Sequence, residues 1–278
     1  MAENKLTTLL SIDPSKMTKS EEFTNTFNNI ADQLMKEYLI SIKDKKYYLA
    51  ELEFYLNDVN HPDIFTHSDE TQLTCGQWYF HRTGQSYKGG SFKGLDITFS
   101  TRGHAGILIR AIKNMEDGTY IEGPCNVVNT ILKEYNVDNV ADFVSREDFN
   151  IEVHIKGPIC IEPLTEIIDK SIITSGRFGL VLRNDNQVEY VLKPYRYMSF
   201  PSYVRKGRQH LVLELYYKGN NSKKISEITG CSASQINKWI KQYEAVTPST
   251  KPSSYYAKKL TAAEFSAFYN ILRKKADC

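Results

Sequence analysis

Residues 222–244, SKKISEITGCSASQINKWIKQYE, carry the pattern that most limits the folds open to this chain. Ile225 and Ile228 stand three apart on one face of a short first helix. Gly230 follows where the turn calls for positive φ, which glycine adopts without a Cβ clash. Ser232-Ala-Ser-Gln235 then forms a capping box and opens a second helix with Ile236, Trp239 and Ile240 turned inward. Two short helices about a glycine turn are the helix-turn-helix plan, and LVLELYYKG (211–219) supplies a support helix before them. Ser234, Gln235, Asn237, Lys238 and Lys241 fall on the outer face of the second helix. Their hydroxyl, amide and ammonium groups suit base edges and phosphates in a major groove. The same pattern also describes a three-helix packing unit with no nucleic-acid role.

Charge divides the chain at the same place. Residues 203–278 hold 14 Lys+Arg against 5 Asp+Glu, a balance of +9, while residues 1–202 balance at −7. A basic end on an acidic body fits a phosphate-binding appendage and equally a solvated lysine-rich tail. The segment resembles the helix-turn-helix modules of transposases and invertases over about forty residues, which makes double-stranded DNA the expected partner. No apolar run approaches the roughly 18 residues of a membrane span, so no membrane partner is expected. Five cysteines, an odd number with no C-x-x-C pair, predict reduced thiols and an intracellular address rather than a disulfide frame. Oligomeric state stays open.

The rest predicts an α+β chain: a mixed, curved, barrel-like sheet with flanking helices, followed by the small all-α module. Phe23, Phe27, Ile30, Leu34 and Tyr38 recur at helical steps and predict a helix over 20–39. Runs rich in aromatic and β-branched residues predict strands at 46–56, 77–82, 95–100 and 106–112. Helices are expected at 125–135, after Gly123-Pro124, and near 138–146, with further strands at 151–156, 177–183 and 188–200. A Pro/Ser/Thr-rich linker at 247–256 precedes a helix over 262–275, opened by the capping box Thr261-Ala-Ala-Glu264. The expected division is 1–44 (N-terminal helical segment), 45–202 (α+β domain), 203–246 (helix-turn-helix) and 247–278 (linker and helix).

Within the body, Glu51, Glu53 and Tyr55 alternate with Leu52, Phe54 and Leu56, so the polar three share a strand face. His61, Asp63 and His67 follow in one loop, then Trp78, Tyr79, Phe80, His81 and Arg82. An acid beside aromatics and histidines can hold a base and activate water. It can equally be a hydrogen-bonded polar strand face.

In order and spacing, these segments resemble the alkyladenine (3-methyladenine) DNA glycosylase family over about residues 46–200. Leu52-Glu53-Phe-Tyr55-Leu56 is similar to the family's Thr-Glu-Ala-Tyr-Leu strand, and His61 or His67 falls near its active-site histidine. Ala105-Gly-Ile-Leu-Ile-Arg110-Ala-Ile looks like its Val-Leu-Ile-Arg-Ala-Leu strand, and Glu122-Gly123-Pro124 like its Gly-Pro helix start. Arg177-Phe-Gly-Leu180 and Lys193-Pro-Tyr-Arg-Tyr197 resemble its closing pair of motifs. The chain departs from the pattern in three places. Tyr87-Lys-Gly-Gly-Ser-Phe-Lys-Gly94 replaces the segment that inserts a tyrosine into the duplex, Asp96 stands where that segment ends in asparagine, and the Thr-x-Arg-Asn piece is absent.

The resemblance implies excision of a damaged or modified base. The base must leave the stack to expose its N-glycosidic bond, which calls for an aromatic slot. Tyr55, a histidine and Tyr79 or Tyr87 are the candidates. Glu53 would be the general base that aims water at C1′, and Arg110 a phosphate or active-site organising residue or a buried structural ion pair. The scheme needs no cofactor and no metal. A chain keeping the scaffold without the chemistry would instead be a DNA reader acting through the helix-turn-helix.

Overall fold

The computed structural model describes residues 2–146, 149–182, 188–245, 251–257 and 260–276. It divides into two compact units, one of Met1–Ile172 with Tyr197–Ser199 and one of Ile173–Arg196 with Phe200–Cys278.

Unit 1 opens with α1 (Ala2–Leu9) and α2 (Ser20–Glu37). The Glu22 carboxylate accepts from the Thr18 and Lys19 amides at 2.7 and 2.9 Å and starts α2. Phe23, Phe27, Ile30 and Leu34 form its buried stripe, at the spacing expected. Tyr38 does not continue the helix. With φ −128° and ψ 158° it begins β1 (Tyr38–Ile42), which a tight turn at Lys43 joins to the long β2 (Lys45–Asp58). The segment expected to be helical to residue 44 therefore ends in a strand whose five residues are all buried. There follow β3 (His61–Pro62), β4 (Trp78–Phe80), the hairpin β5 (Arg82–Thr83) and β6 (Ser86–Tyr87), β7 (Leu95–Ile97) and β8 (His104–Asn114). The unit closes with β9 (Tyr120–Glu122), α3 (Pro124–Glu134), α4 (Val140–Val144) and β10 (Ile159–Pro163).

The sheet runs β10-β1-β2-β8-β7-β4, with β3 on β2 and β9 on β8. Its pairings along this path are antiparallel, and it is open rather than closed into a barrel. The α+β class expected is the one adopted. One face of β2 packs under α2: Phe54 stacks on Phe27 at 5.1 Å and meets Phe99 and Tyr197 edge-on. Burial of such side chains contributes roughly 1.5–3 kcal/mol each. Residues 49–54 are buried without interruption, so the opposite face is covered as well.

Unit 2 contains α5 (Val188–Leu192), α6 (Arg208–Tyr217), α7 (Ser222–Thr229), α8 (Ala233–Glu244) and α9 (Ala262–Ala276). Leu211, Val212, Leu213, Glu214 and Leu215 are buried in succession, which makes α6 the central helix. The helix-turn-helix forms as its caps dictate. Gly230 closes α7 in the left-handed region at φ 66°, and the Ser232 hydroxyl accepts from the Gln235 amide at 3.3 Å. Ile225 and Ile236 are fully buried between the helices, whereas Ile228 and Trp239 are half-buried. The Thr261–Glu264 capping box forms reciprocally, at 2.9 and 3.3 Å. The helix it opens packs on α8, α6 and α5. Tyr269 and Arg273 of α9 both donate to the buried Glu214 carboxylate of α6, tying the two helices together.

Three expected strands differ. Residues 151–156 give a single antiparallel bridge, Gln77↔Glu152, made by the Trp78 amide to the Ile151 carbonyl and the Val153 amide to the Gly76 carbonyl. Residues 177–182 are irregular, residue 183 lying outside the described set; of the strand expected at 188–200, residues 188–192 form α5 and only Arg196–Met198 is a strand. That helix packs on α9, and the Gly176 backbone lies so close that a Cβ there would stand 2.6 Å from the Val191 carbonyl. Of the linker expected at 247–256, residues 247–250 fall outside the described residues, and Pro252–Tyr255 form a 3-10 turn.

Candidate functional site

Strand register assembles the site. Glu53 of β2 faces Leu108 of β8, Leu108 faces Asp96 of β7, and Asp96 faces Tyr79 of β4. Directly opposed residues of a ladder project to the same side, so Glu53, Asp96 and Tyr79 share one face. With neighbouring strands about 4.8 Å apart, the Glu53 and Asp96 backbones are separated by about 10 Å. Tyr55 extends the row toward Gly106. Glycine at position 106 leaves room for these side chains, since a Cβ would stand 2.4 Å from the Asp96 carboxylate and 2.8 Å from the Gln72 amide nitrogen.

At the β2 end, Glu53 is fully buried and its Oε2 accepts from the Tyr55 hydroxyl at 2.7 Å. The Arg110 guanidinium donates to Glu51 Oε1 at 2.8 Å and, more weakly, to Glu53 Oε2 at 3.4 Å. Breaks in the β2–β8 register flank Glu51, and both carboxylates reach Arg110 across this irregular stretch. Burial alone would lower the arginine's pKa. Glu53 and Glu51 outweigh it, so the net direction is upward and the cation is fixed.

At the β7 end, Asp96 Oδ1 meets His81 Nε2 at 2.7 Å, and the His81 and His67 rings stand 4.1 Å apart. His67 Nδ1 lies 3.5 Å from the Tyr79 hydroxyl and its Nε2 lies 3.3 Å from Lys88 Nζ. Partial burial, then repulsion from His81 and Lys88, pushes the His67 pKa down to about 4. The residue as a whole is exposed, which tempers the burial effect, but the direction leaves His67 neutral at neutral pH. Burial, followed by the nearby Asp69 and Asp96, pushes Tyr79 upward, so its hydroxyl stays protonated.

Glu53, Tyr55, Arg110, Asp96, Tyr79 and His67 are thus brought onto one face, and two of the expected residues are not. His61 is turned into the α2 side of the sheet, its Nδ1 2.8 Å from the Leu56 carbonyl and its ring against Phe23 and Phe27. It is therefore a core residue, and it does not converge with His67. Tyr87 lies edge-on to Phe80, which alternates with Tyr79 and points the other way. Gly106 belongs to the cluster and was not singled out from the sequence; His81 and Lys88 stood out as residues, without the partners that the fold gives them. The step of two from Tyr79 to His81 was the available signal.

On α8, Ser234, Lys238 and Lys241 are exposed and Gln235 is half-buried. Asn237 Oδ1 accepts from the Ser222 hydroxyl at 2.6 Å, which ties α8 to the start of α7.

Fold and face define an α+β protein with a polar cluster on an open antiparallel sheet and a helix-turn-helix in its second unit. No protein-family model matches the chain. It is 32% identical over 200 residues to an uncharacterized protein of Acanthamoeba polyphaga mimivirus, a match spanning 66% of this chain and 91% of the viral one. The chain belongs to the family of that viral protein. Among the described residues, no helix is long and apolar enough to cross a membrane.

Proposed function

We propose that unit 1 is a DNA glycosylase-like module that accepts a flipped damaged or modified base and releases it by water attack at C1′. Glu53 is the general base, held in place by Tyr55 and Arg110. Tyr55, neutral His67 and Tyr79 offer the stacking and hydrogen-bonding groups that an extruded base needs. Residues of α7 and α8 supply affinity for double-stranded DNA through Ser234, Gln235, Asn237, Lys238 and Lys241. The observation that carries the reading is convergence. Five separate stretches of chain deliver a carboxylate, an arginine, a second carboxylate, two tyrosines and a neutral histidine to one sheet face.

One observation favours a second reading. Glu53 has no exposed surface and is engaged by both Tyr55 and Arg110, as in a purely structural polar face. A protein of that kind would be a catalytically inactive reader acting through α8. Release of free base from alkylated, deaminated and modified duplexes, compared between wild type and Glu53→Gln, separates the two. Excision requires release that falls in the variant, and a reader releases nothing.

A further inference from the structure

A lysine stands beside this cluster on a scaffold that aims it. The β5–β6 hairpin is anchored at Arg82, whose Nε and Nη2 donate to the two Asp69 oxygens at 3.0 and 2.7 Å. Past the hairpin, the Lys88 amide donates to the His81 carbonyl at 2.8 Å, and the His81 amide to the Gly94 carbonyl at 2.9 Å. Gly94 lies so close to the His81 ring that a Cβ would stand 2.4 Å from it. This fixes the stem of Lys88 and brings Nζ to 3.3 Å from His67 Nε2. On its other side, Lys88 borders an open cleft of about 460 Å³ together with Tyr87, Gly89, Gly90 and Lys93. Its side chain therefore borders both this cleft and the His67–His81 pair of the polar face. Its neighbour there is an imidazole rather than a carboxylate, and among the described residues Lys88 forms no ion pair.

We propose that Lys88 is an amine nucleophile for abasic deoxyribose, giving the protein a strand-cleaving lyase activity beside base release. The inference rests on the glycosylase reading of the same face. The unprotonated amine attacks C1′ of the ring-opened sugar, a C–N bond forms, one proton is taken up from solvent, and the carbonyl oxygen departs as water to leave an iminium ion. Neutral His67 is the adjacent acceptor for the C2′ proton. The electron pair released forms the C2′–C3′ double bond and expels the 3′ phosphate. Water then hydrolyses the imine, which frees Lys88 and the unsaturated sugar aldehyde. DNA and water balance the sequence.

The test uses the full chain and a duplex carrying a preformed abasic site, with sodium cyanoborohydride to reduce any imine to a stable cross-link. Wild type should cross-link, peptide mass spectrometry should locate the adduct on Lys88, and Lys88→Arg, which keeps the cation, should lower cross-linking at least tenfold. Lys16→Arg, at an exposed lysine outside this cleft, should leave it unchanged. No cross-link in wild type, an adduct mapped to another residue, or undiminished cross-linking in Lys88→Arg overturns the inference. The substrate has no base to release, so this outcome is independent of excision. Base release without cross-linking removes only the lysine step, and a Lys88 adduct without base release removes only the excision.

Discussion

Replacing Arg110 with methionine keeps most of the side chain's length and removes its charge from the centre of the sheet face. Arg110 is 7% exposed and lies between Glu51 at 1% and Glu53 at 0%, 2.8 and 3.4 Å from their oxygens. Removing one partner of a buried ion pair costs about 3–5 kcal/mol, because the remaining charge stays buried without its counter-ion. Here two carboxylates are left rather than one, so the expected loss lies in the upper half, at about 4–5 kcal/mol. That is a large share of the roughly 5–15 kcal/mol by which a domain is stable. Urea unfolding measures it, followed through the fluorescence of the buried Trp78 in a Trp239→Phe background so that unit 1 reports alone. A loss under about 1 kcal/mol at pH 7 would refute the claim that Arg110 holds this face together.

Two further expectations concern His67 and α8. In an NMR titration the His67 imidazole should be neutral at pH 7 and protonate with a midpoint near the about 4 to which its surroundings push it, against 6.5 for free histidine. Below 6.5 the unfolded chain binds that proton before the folded one does, so the ring's contribution to stability is lost as pH falls from 6.5 toward about 4; a midpoint at or above 6.5 would contradict the packing described. Changing Lys238 and Lys241 together to glutamine should weaken duplex binding in fluorescence anisotropy and reduce the slope of log affinity against log salt by about 1.8, at about 0.9 per phosphate contact. An unchanged slope would rule out α8 as a phosphate-binding surface.

The parts of the fold visible in the sequence are those that local chemistry decides. The helical stripe from Phe23 to Leu34, the alternation along β2, the Gly123-Pro124 helix start and the caps at Gly230, Ser232 and Thr261 all depend on residues a few positions apart. What was hidden depends on partners far along the chain. Val188–Leu192 has the aromatic and β-branched composition of a strand, yet is helical where α9 covers it. Tyr38–Ile42 continues a helical pattern, yet pairs with β2 and β10. The site divides the same way. Alternation along one strand gave Glu53 and Tyr55 a common face. It could not separate His61 from His67, because loop length leaves open which of two histidines turns into the core beneath Phe23 and which turns toward Tyr79. The pairing of His81 with Asp96 was hidden because it is fixed only by the β4–β7 register.

The central claim is that Glu53 activates water for base excision. Glu53→Gln keeps the shape and the oxygen that Tyr55 donates to, and Glu51 still engages Arg110 at 2.8 Å, so the variant should fold. The direct measurement is mass spectrometry of free bases released from alkylated, deaminated and modified duplex DNA by both proteins. The account predicts release by wild type from at least one of these substrates, a rate lower by about 10²–10⁴-fold in Glu53→Gln, and unchanged duplex affinity. Release undiminished in the variant would contradict the role of Glu53, and no release from any substrate with tight DNA binding intact would contradict excision itself.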